Sequence, residues 1–482
     1  FAAFYTGRDI FKFGDDFGFG WGNMTGTFRW NHLFNEKLFS NVSVIGSQFD
    51  YKLEYQDNIE GFKWTSSLKE FSIKADLSYA INTRNELSFG YHVTGRQFSP
   101  GKIAPNSTAS IFETLEQQQL YALDHGLYIS NQQQFSDRLT VDYGVRLSIF
   151  QNVGSGDVYR YTDPQDKVEL ERTDTLHYSR FETIKAYINV EPRLGIRYTL
   201  AAGQAVKLSY NRMVQNTHLV SAATVPIPFN TWTPSNFYLK PQIADQYAIG
   251  YFRNFRDNMF EFSIEGYYKD IQHVTDFVDN ADIFFNEDLT TEYRQGKAWS
   301  YGTELMLNKK QGRVTGMLSY TLSKTMREIP DVNGGKAFRA NTDRRNALNI
   351  QAAYDHNEKW TFGATFTYST GRPITITSGK YEYGTYQPDV ITGRNGYLLP
   401  SFHRLDLSAT LTPRKPIFRK WKGQGQWIFS IYNVYNRKNP FTIYTRTKQD
   451  KDGNIIGDGT EKEARLIYLF PIMPSVTYNF KF

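Results

Sequence analysis

The sequence predicts an all-β chain, an antiparallel transmembrane β-barrel of about eighteen strands. Three observations predict it. Segments of roughly 10 to 18 residues alternate apolar and polar side chains. The connections between them are short and long by turns. Aromatic residues make up 16% of a chain in which no apolar run approaches the roughly 20 residues a membrane helix needs.

The composition narrows the classes further. Mean hydropathy is −0.53 over 482 residues, so helical spans are excluded and a closed sheet is the one remaining way through a bilayer. The 33 tyrosines and 37 phenylalanines are many for so polar a chain, and tyrosine and tryptophan gather at membrane-water boundaries. Cysteine is absent, which removes disulfides and thiolate metal sites. The 55 basic and 49 acidic residues give +6, but they are interspersed and form no long basic run, so nucleic acid is not an expected partner. No composition break divides the chain, and residues 1–482 are read as one barrel domain. It begins at Phe1 without a secretion signal, and the expectation is that an N-terminal part of the protein lies outside this chain.

Taken in order, the strands come as hairpins. Gly20 to Leu33 reaches the turn Asn35-Glu36-Lys37, and Leu38 to Leu53 returns. Phe71, Ile73, Ala75, Leu77 and Tyr79 alternate with Ser72, Lys74, Asp76 and Ser78 before the turn at Asn82 to Asn85. Tight turns follow near Ser136-Asp137, Ala202-Gly203, Arg256-Asp257, Gln311-Gly312 and Asn357-Glu358. Between them lie long connections at residues 99–116, 154–182, 219–241, 275–297, 327–343, 378–400 and 446–461. Membrane barrels sort their loops in this way, short on one side and long on the other.

Each strand has two faces. In Met259 to Lys269, Phe260, Phe262, Ile264 and Tyr268 oppose Glu261, Ser263, Glu265 and Lys269. A cation at mid-bilayer costs about 2 to 4 kcal/mol, so the polar set must line a lumen too wide for side chains to fill. The last stretch, Pro474 to Phe482, repeats the pattern, with Val476, Tyr478, Phe480 and Phe482 against Ser475, Thr477, Asn479 and Lys481. It resembles the terminal assembly signal of outer-membrane barrels.

Eight ordered stretches carry a closer resemblance: WGNMTGTFRWNHLF (21–34), NRMVQNTHLV (211–220), GYYKDI (266–271), YGTELML (301–307), SYTLSK (319–324), TGRPIT (370–375), FHRLDLS (402–408) and YNVYNRKNPF (432–441). Together they resemble the barrel of TonB-dependent outer-membrane receptors. More narrowly, they are similar to the Bacteroidetes type that carries a carboxypeptidase-regulatory-like N-terminal domain. The resemblance implies a 22-stranded barrel, an N-terminal plug and a TonB-binding box, the last two outside this chain. It also implies a cell outer membrane location, contact with lipopolysaccharide and a surface lipoprotein as a further partner. Either the eighteen strands close on themselves or absent segments complete the wall, and the second is expected.

Candidate site residues follow from position. Trp232, Tyr238, Tyr381, Tyr383 and Tyr386 fall in long connections and offer stacking faces for sugars, peptides or planar chelates. Glu261, Glu265, Glu304, Arg404 and Asp406 are expected in the lumen as plug contacts. Glu261 and Glu265 are about 13 Å apart along one strand face, too far for a glycosidase pair, and no enzyme is expected. The eight histidines, His92, His218 and His403 among them, show no zinc spacing. Asp450, Asp452, Asn454, Asp458 and Glu461 have the oxygen spacing of a calcium loop, although Ile455 stands where such a loop needs glycine. Calcium is therefore the one cofactor candidate. Import of a nutrient is the expected function. The alternative is a barrel that scaffolds lipoprotein partners without transport.

Overall fold

The computed structural model describes residues 1–482 except 14–16, 58–60, 111–112, 163–171, 222–229, 282–285, 287, 381–388, 392, 414–423, 449, 451–455, 457–461 and 482. Eighteen long strands form one antiparallel sheet. They are β1 (Ala2–Phe13), β2 (Phe17–Leu33), β3 (Leu38–Tyr55), β4 (Phe62–Asn82), β5 (Asn85–Pro105), β6 (Leu120–Gln134), β7 (Leu139–Val153), β8 (Thr183–Ala201) and β9 (Gln204–Gln215). They continue as β10 (Gln242–Phe255), β11 (Phe260–Phe277), β12 (Tyr293–Lys309), β13 (Val314–Glu328), β14 (Asn346–Asp355), β15 (Trp360–Ser369), β16 (Phe402–Leu411), β17 (Gln424–Tyr432) and β18 (Met473–Lys481). Two two-residue pieces, Leu115–Glu116 and Phe338–Arg339, add to the sheet and bring its total to 20.

Every strand pairs with its neighbour in sequence, the simplest up-and-down order. Among the described residues β1 and β18 pair only on one side, with β2 and β17, and are not hydrogen-bonded to each other. The short connections are turns with identifiable chemistry. Asn35 Oδ1 accepts the amides of Lys37 and Leu38, and Asn357 Oδ1 those of Lys359 and Trp360. Arg256, Asp257 and Asn258 all adopt positive φ, between 51° and 60°. Gly312 sits at φ 93°, where a side chain would be strained.

The two faces separate as the alternation requires. Ile264, Tyr268, Tyr247, Ile249, Leu127, Ile129, Phe71 and Ile73 stand exposed on the outward face. At the end of the chain Val476 and Tyr478 face outward beside Phe429 and Trp427, with the Trp427 and Tyr478 rings 4.6 Å apart. On the opposite face Ser430 and Ser475 share a 2.7 Å hydrogen bond.

The largest buried hydrophobic cluster among the described residues lies inside the sheet at the end bearing the long connections. Phe19, Leu53, Trp64 and Ile103 form one row across β2 to β5 and pack against Val220, Leu239, Phe277, Leu289 and Tyr293 from loops and strand ends of the far wall. Strands that distant in the sheet can meet only across its interior, which identifies the inward face.

Candidate functional site

Below the rim the inward face is polar and ionic. Glu70, Arg96 and Asp124 come from adjacent strands β4, β5 and β6, and Arg96 binds Glu70 at 2.5 Å and Asp124 at 3.2 Å. Two strands further round, Arg146 on β7 contacts His92 Nε2 at 2.7 Å and the buried Glu191 on β8 at 3.3 Å, with Arg193 at 3.7 Å on the other side. The Tyr128 hydroxyl donates to Asp76 at 2.8 Å across Gly90, whose missing side chain leaves the ring its place. A Cβ at Gly90 would come within 2.6 Å of the Tyr128 ring.

The expected lumen residues lie on this inward face. Glu265 and Glu304 are cross-strand partners on β11 and β12, like charges placed directly opposite with no ion-pair partner among the described residues. Glu261 pairs with Lys310 at the turn end. Arg404 binds Asp406 at 2.9 Å and lies 3.9 Å over the Tyr432 ring, while Asp406 also accepts the Asn433 amide. Sequence reasoning missed the two networks of β4 to β8. Glu70 and Arg96 are 26 residues apart and only the hairpin register brings them together.

At the rim the long connections fold inward. An antiparallel hairpin, Thr217–Ser221 with Asn230–Pro234, occupies most of its length in the connection 219–241 expected as an outer loop, and its Val220, Thr231 and Thr233 are buried. Trp232 on this hairpin packs against Leu68, Phe98, Ala122 and Phe150 of the inner wall. His218, 3% exposed, shares a 3.0 Å hydrogen bond with Ser235, and burial pulls its imidazole down to about 4. Tyr238 is half-buried beside a second hairpin, Gly156–Tyr161 with Arg172–Tyr178, where its hydroxyl meets the Tyr161 amide at 3.3 Å. The Tyr161 hydroxyl donates to Asp288 at 2.7 Å, and burial, then that carboxylate, push its pKa up. Tyr159, Phe237, Tyr238 and Asp288 line a cavity of about 110 Å³ there, with Arg160 stacked 3.7 Å over Phe237 and Arg172 3.6 Å over Tyr159.

A buried ion network joins three other connections. Arg394, 2% exposed, binds Asp276 at 2.7 Å and Asp279 at 3.1 Å, and Arg327 binds Asp276 at 3.0 Å. Asn333 accepts the Arg394 amide and donates its own to Asp279. Of the remaining expectations, Tyr381, Tyr383 and Tyr386 lie outside the described residues, as do Asp452, Asn454, Asp458 and Glu461. Asp450 is exposed.

The fold and its polar interior have counterparts among known proteins. The profile of the family described as "TonB dependent receptor-like, beta-barrel" matches residues 3–436. The chain belongs to that family. No curated protein sequence matches it. Among solved structures, the siderophore receptor PiuA from Acinetobacter baumannii superposes with TM-score 0.61 at 12% identity, covering 97% of this chain and 65% of that one. The pyoverdine outer membrane receptor FpvA from Pseudomonas aeruginosa PAO1 gives 0.58 at 14%, covering 95% and 62%. The ferric-catecholate import receptor Fiu from E. coli K12, in its closed form, gives 0.57 at 15%, covering 97% and 65%. The chain thus spans less than two thirds of the length of these relatives. As a TonB-dependent receptor barrel it is an outer-membrane barrel, with its apolar belt in lipid and its polar face on the lumen.

Proposed function

We propose that the barrel is the wall of an energised import path, in which a nutrient ligand is caught by the inward-folded loops and drawn along the polar inner face. TonB would supply the pull through a segment of the receptor outside this chain. The observation that carries the reading is the pairing of two ion networks on the inward face with a hairpin of the chain's own long connections packed against the inner wall near the rim.

Glu261, Glu265, Glu304, Arg404 and Asp406 would contact the occluding element through individually weak, water-exposed pairs that part under load. Trp232, Tyr238, Tyr381, Tyr383 and Tyr386 would serve the ligand. The unpaired edges of β1 and β18 would be covered by further β-structure, because lipid tolerates no open edge. The Bacteroidetes-type assignment, the lipoprotein partner and the calcium loop belong to the same reading and rest on sequence motifs.

Iron chelates are the first ligands to try, since three structural relatives are named for them. The test expresses the full receptor in an outer membrane and follows uptake of labelled ferric chelates, oligosaccharides and peptides with and without an uncoupler. Uncoupler-sensitive uptake of one class is expected. Robust lipoprotein capture with no uptake of any class would instead establish the scaffold.

A further inference from the structure

Polar atoms without partners gather at one place on the inward wall. Where the hairpin strand Thr217–Ser221 leaves β9, a cavity of about 440 Å³ is lined by β5 and β6 on one side and by β9, β10 and β11 on the other. Asp124, Asn216 and Thr217 all line it. Each brings a buried side-chain oxygen, Oδ1, Oδ1 and Oγ1 in turn, that has no hydrogen-bond partner among the described residues. The side chains themselves are held in place. Asp124 takes Arg96 at 3.2 Å on its other oxygen, and Asn216, 4% exposed, donates its side-chain amide to Ser148 at 3.4 Å. A buried oxygen left unpaired costs about 1 to 3 kcal/mol, so three around one space call for a donor that enters it.

The rest of the lining says what kind of donor. Lys269 on β11 reaches the same cavity and has no ion-pair partner among the described residues. Met213, Ala244 and Ile271 add an apolar strip. Water alone would satisfy the oxygens, but it gains nothing from that strip and leaves Lys269 without a counter-charge.

Charge narrows the class further. Arg96 is also bound by Glu70, so Glu70 and Asp124 stand against Arg96 and Lys269, and the four sum to zero. Arg146, Glu191 and Arg193 form their own cluster on β7 and β8 and do not line the cavity. A balanced site with acceptors in one part and a lone cation in another suits a ligand that carries both charges. A purely anionic chelate would set like charge against Asp124.

The spacing favours a peptide over a single amino acid. Lys269 is two strands from β9, roughly 10 Å round the wall, and a chain spans about 3.3 to 3.6 Å per residue.

We propose that the cavity binds a short zwitterionic peptide with free termini. Its N-terminal ammonium donates to Asp124 Oδ1, Asn216 Oδ1 and Thr217 Oγ1, one hydrogen for each oxygen. Its carboxylate meets Lys269, and an aliphatic side chain lies on Met213 and Ile271. This names the substrate class of the import path proposed above and rests on that reading for the ligand's route inward.

The test uses the full receptor in detergent and calorimetric titration with the tripeptide Ala-Leu-Ala. Its N-acetylated form lacks the ammonium, and its C-terminal amide lacks the carboxylate. Asp124→Asn and Lys269→Gln each remove one charge from the site, and Arg84→Gln, in an exposed pair with Asp137 at a turn, is the control. Affinity for the free tripeptide is expected to fall about tenfold or more in Asp124→Asn and in Lys269→Gln, to return in Lys269→Arg, and to stay within about twofold in Arg84→Gln. The acetylated peptide should bind weakly and be indifferent to Asp124→Asn, and the amide should be indifferent to Lys269→Gln. Heat-modified migration on gels confirms that each variant is folded. Equal binding of free and capped peptides, no binding of the free one, or undiminished binding by Lys269→Gln overturns the proposal. Uptake of labelled tripeptide is followed in parallel with and without an uncoupler. Binding in the expected pattern without uptake supports the site and removes the import reading, whereas energised uptake of another class with no tripeptide binding removes the site and leaves import.

Discussion

The inner wall changes character along its own strands. At mid-depth β4 to β8 present Glu70, Arg96, Asp124, Arg146 and Glu191, whereas a few residues nearer the loops β2 to β7 present Phe19, Leu53, Trp64, Ile103, Phe98 and Phe150. Both sets occupy the same face and obey the same alternation. What differs is the neighbour: the lower wall's charges pair among themselves across adjacent strands, and the upper wall packs against the chain's own loops. A polar contact can be exchanged for water at little net cost, while a dry aromatic contact cannot.

That contrast can be broken in graded ways. The largest effect should come from Trp64→Ala, since a fully buried indole in the rim core is lost; a cost of about 3 to 5 kcal/mol in denaturant unfolding of the folded barrel is expected. A loss below about 1 kcal/mol would mean that the rim is as wet as the lumen.

Next is the pH response of the mouth hairpin. The His218 imidazole is held at about 4 against an ordinary 6.5, so its contribution is complete above pH 6.5 and is lost as pH falls toward 4. About 3 kcal/mol of hairpin stability should disappear over that interval, read as loss of amide protection in residues 217–221 and 230–234. In His218→Gln the same scan should be flat.

Glu191→Gln comes third. It leaves Arg146 without its carboxylate, at a cost of about 2 kcal/mol, and should change unfolding without touching protection at the rim. Smallest is Glu261→Gln, which breaks a half-exposed pair with Lys310 at the turn end and should cost no more than about 1 kcal/mol. If Glu261 mattered as much as Glu191, depth would not be what sorts these contacts.

Much of this was legible in the sequence because it depends on near neighbours. The alternation in Met259 to Lys269, the turns at Asn35 and Asn357 and the parity of loop lengths all express local geometry, and eighteen long strands result. The inward fold of the hairpin formed by 217–221 and 230–234 was not legible. Val220 and Leu239 are buried by Trp64 and Phe277, residues from distant strands, and nothing in a stretch reading TVPIPFNTWTPS distinguishes a free loop from one that finds such partners. The same holds for Arg394 and Asp276, which are 118 positions apart.

Because the buried Arg394 guanidinium is shared by Asp276 and Asp279, and Asp276 also holds Arg327, residues 276–279, 327–333 and 394–395 make up a single inheritable unit. Grafting any one of these segments from another receptor would strand a charge in a dry place, so attempts to retarget the mouth by swapping surface segments should exchange all three together.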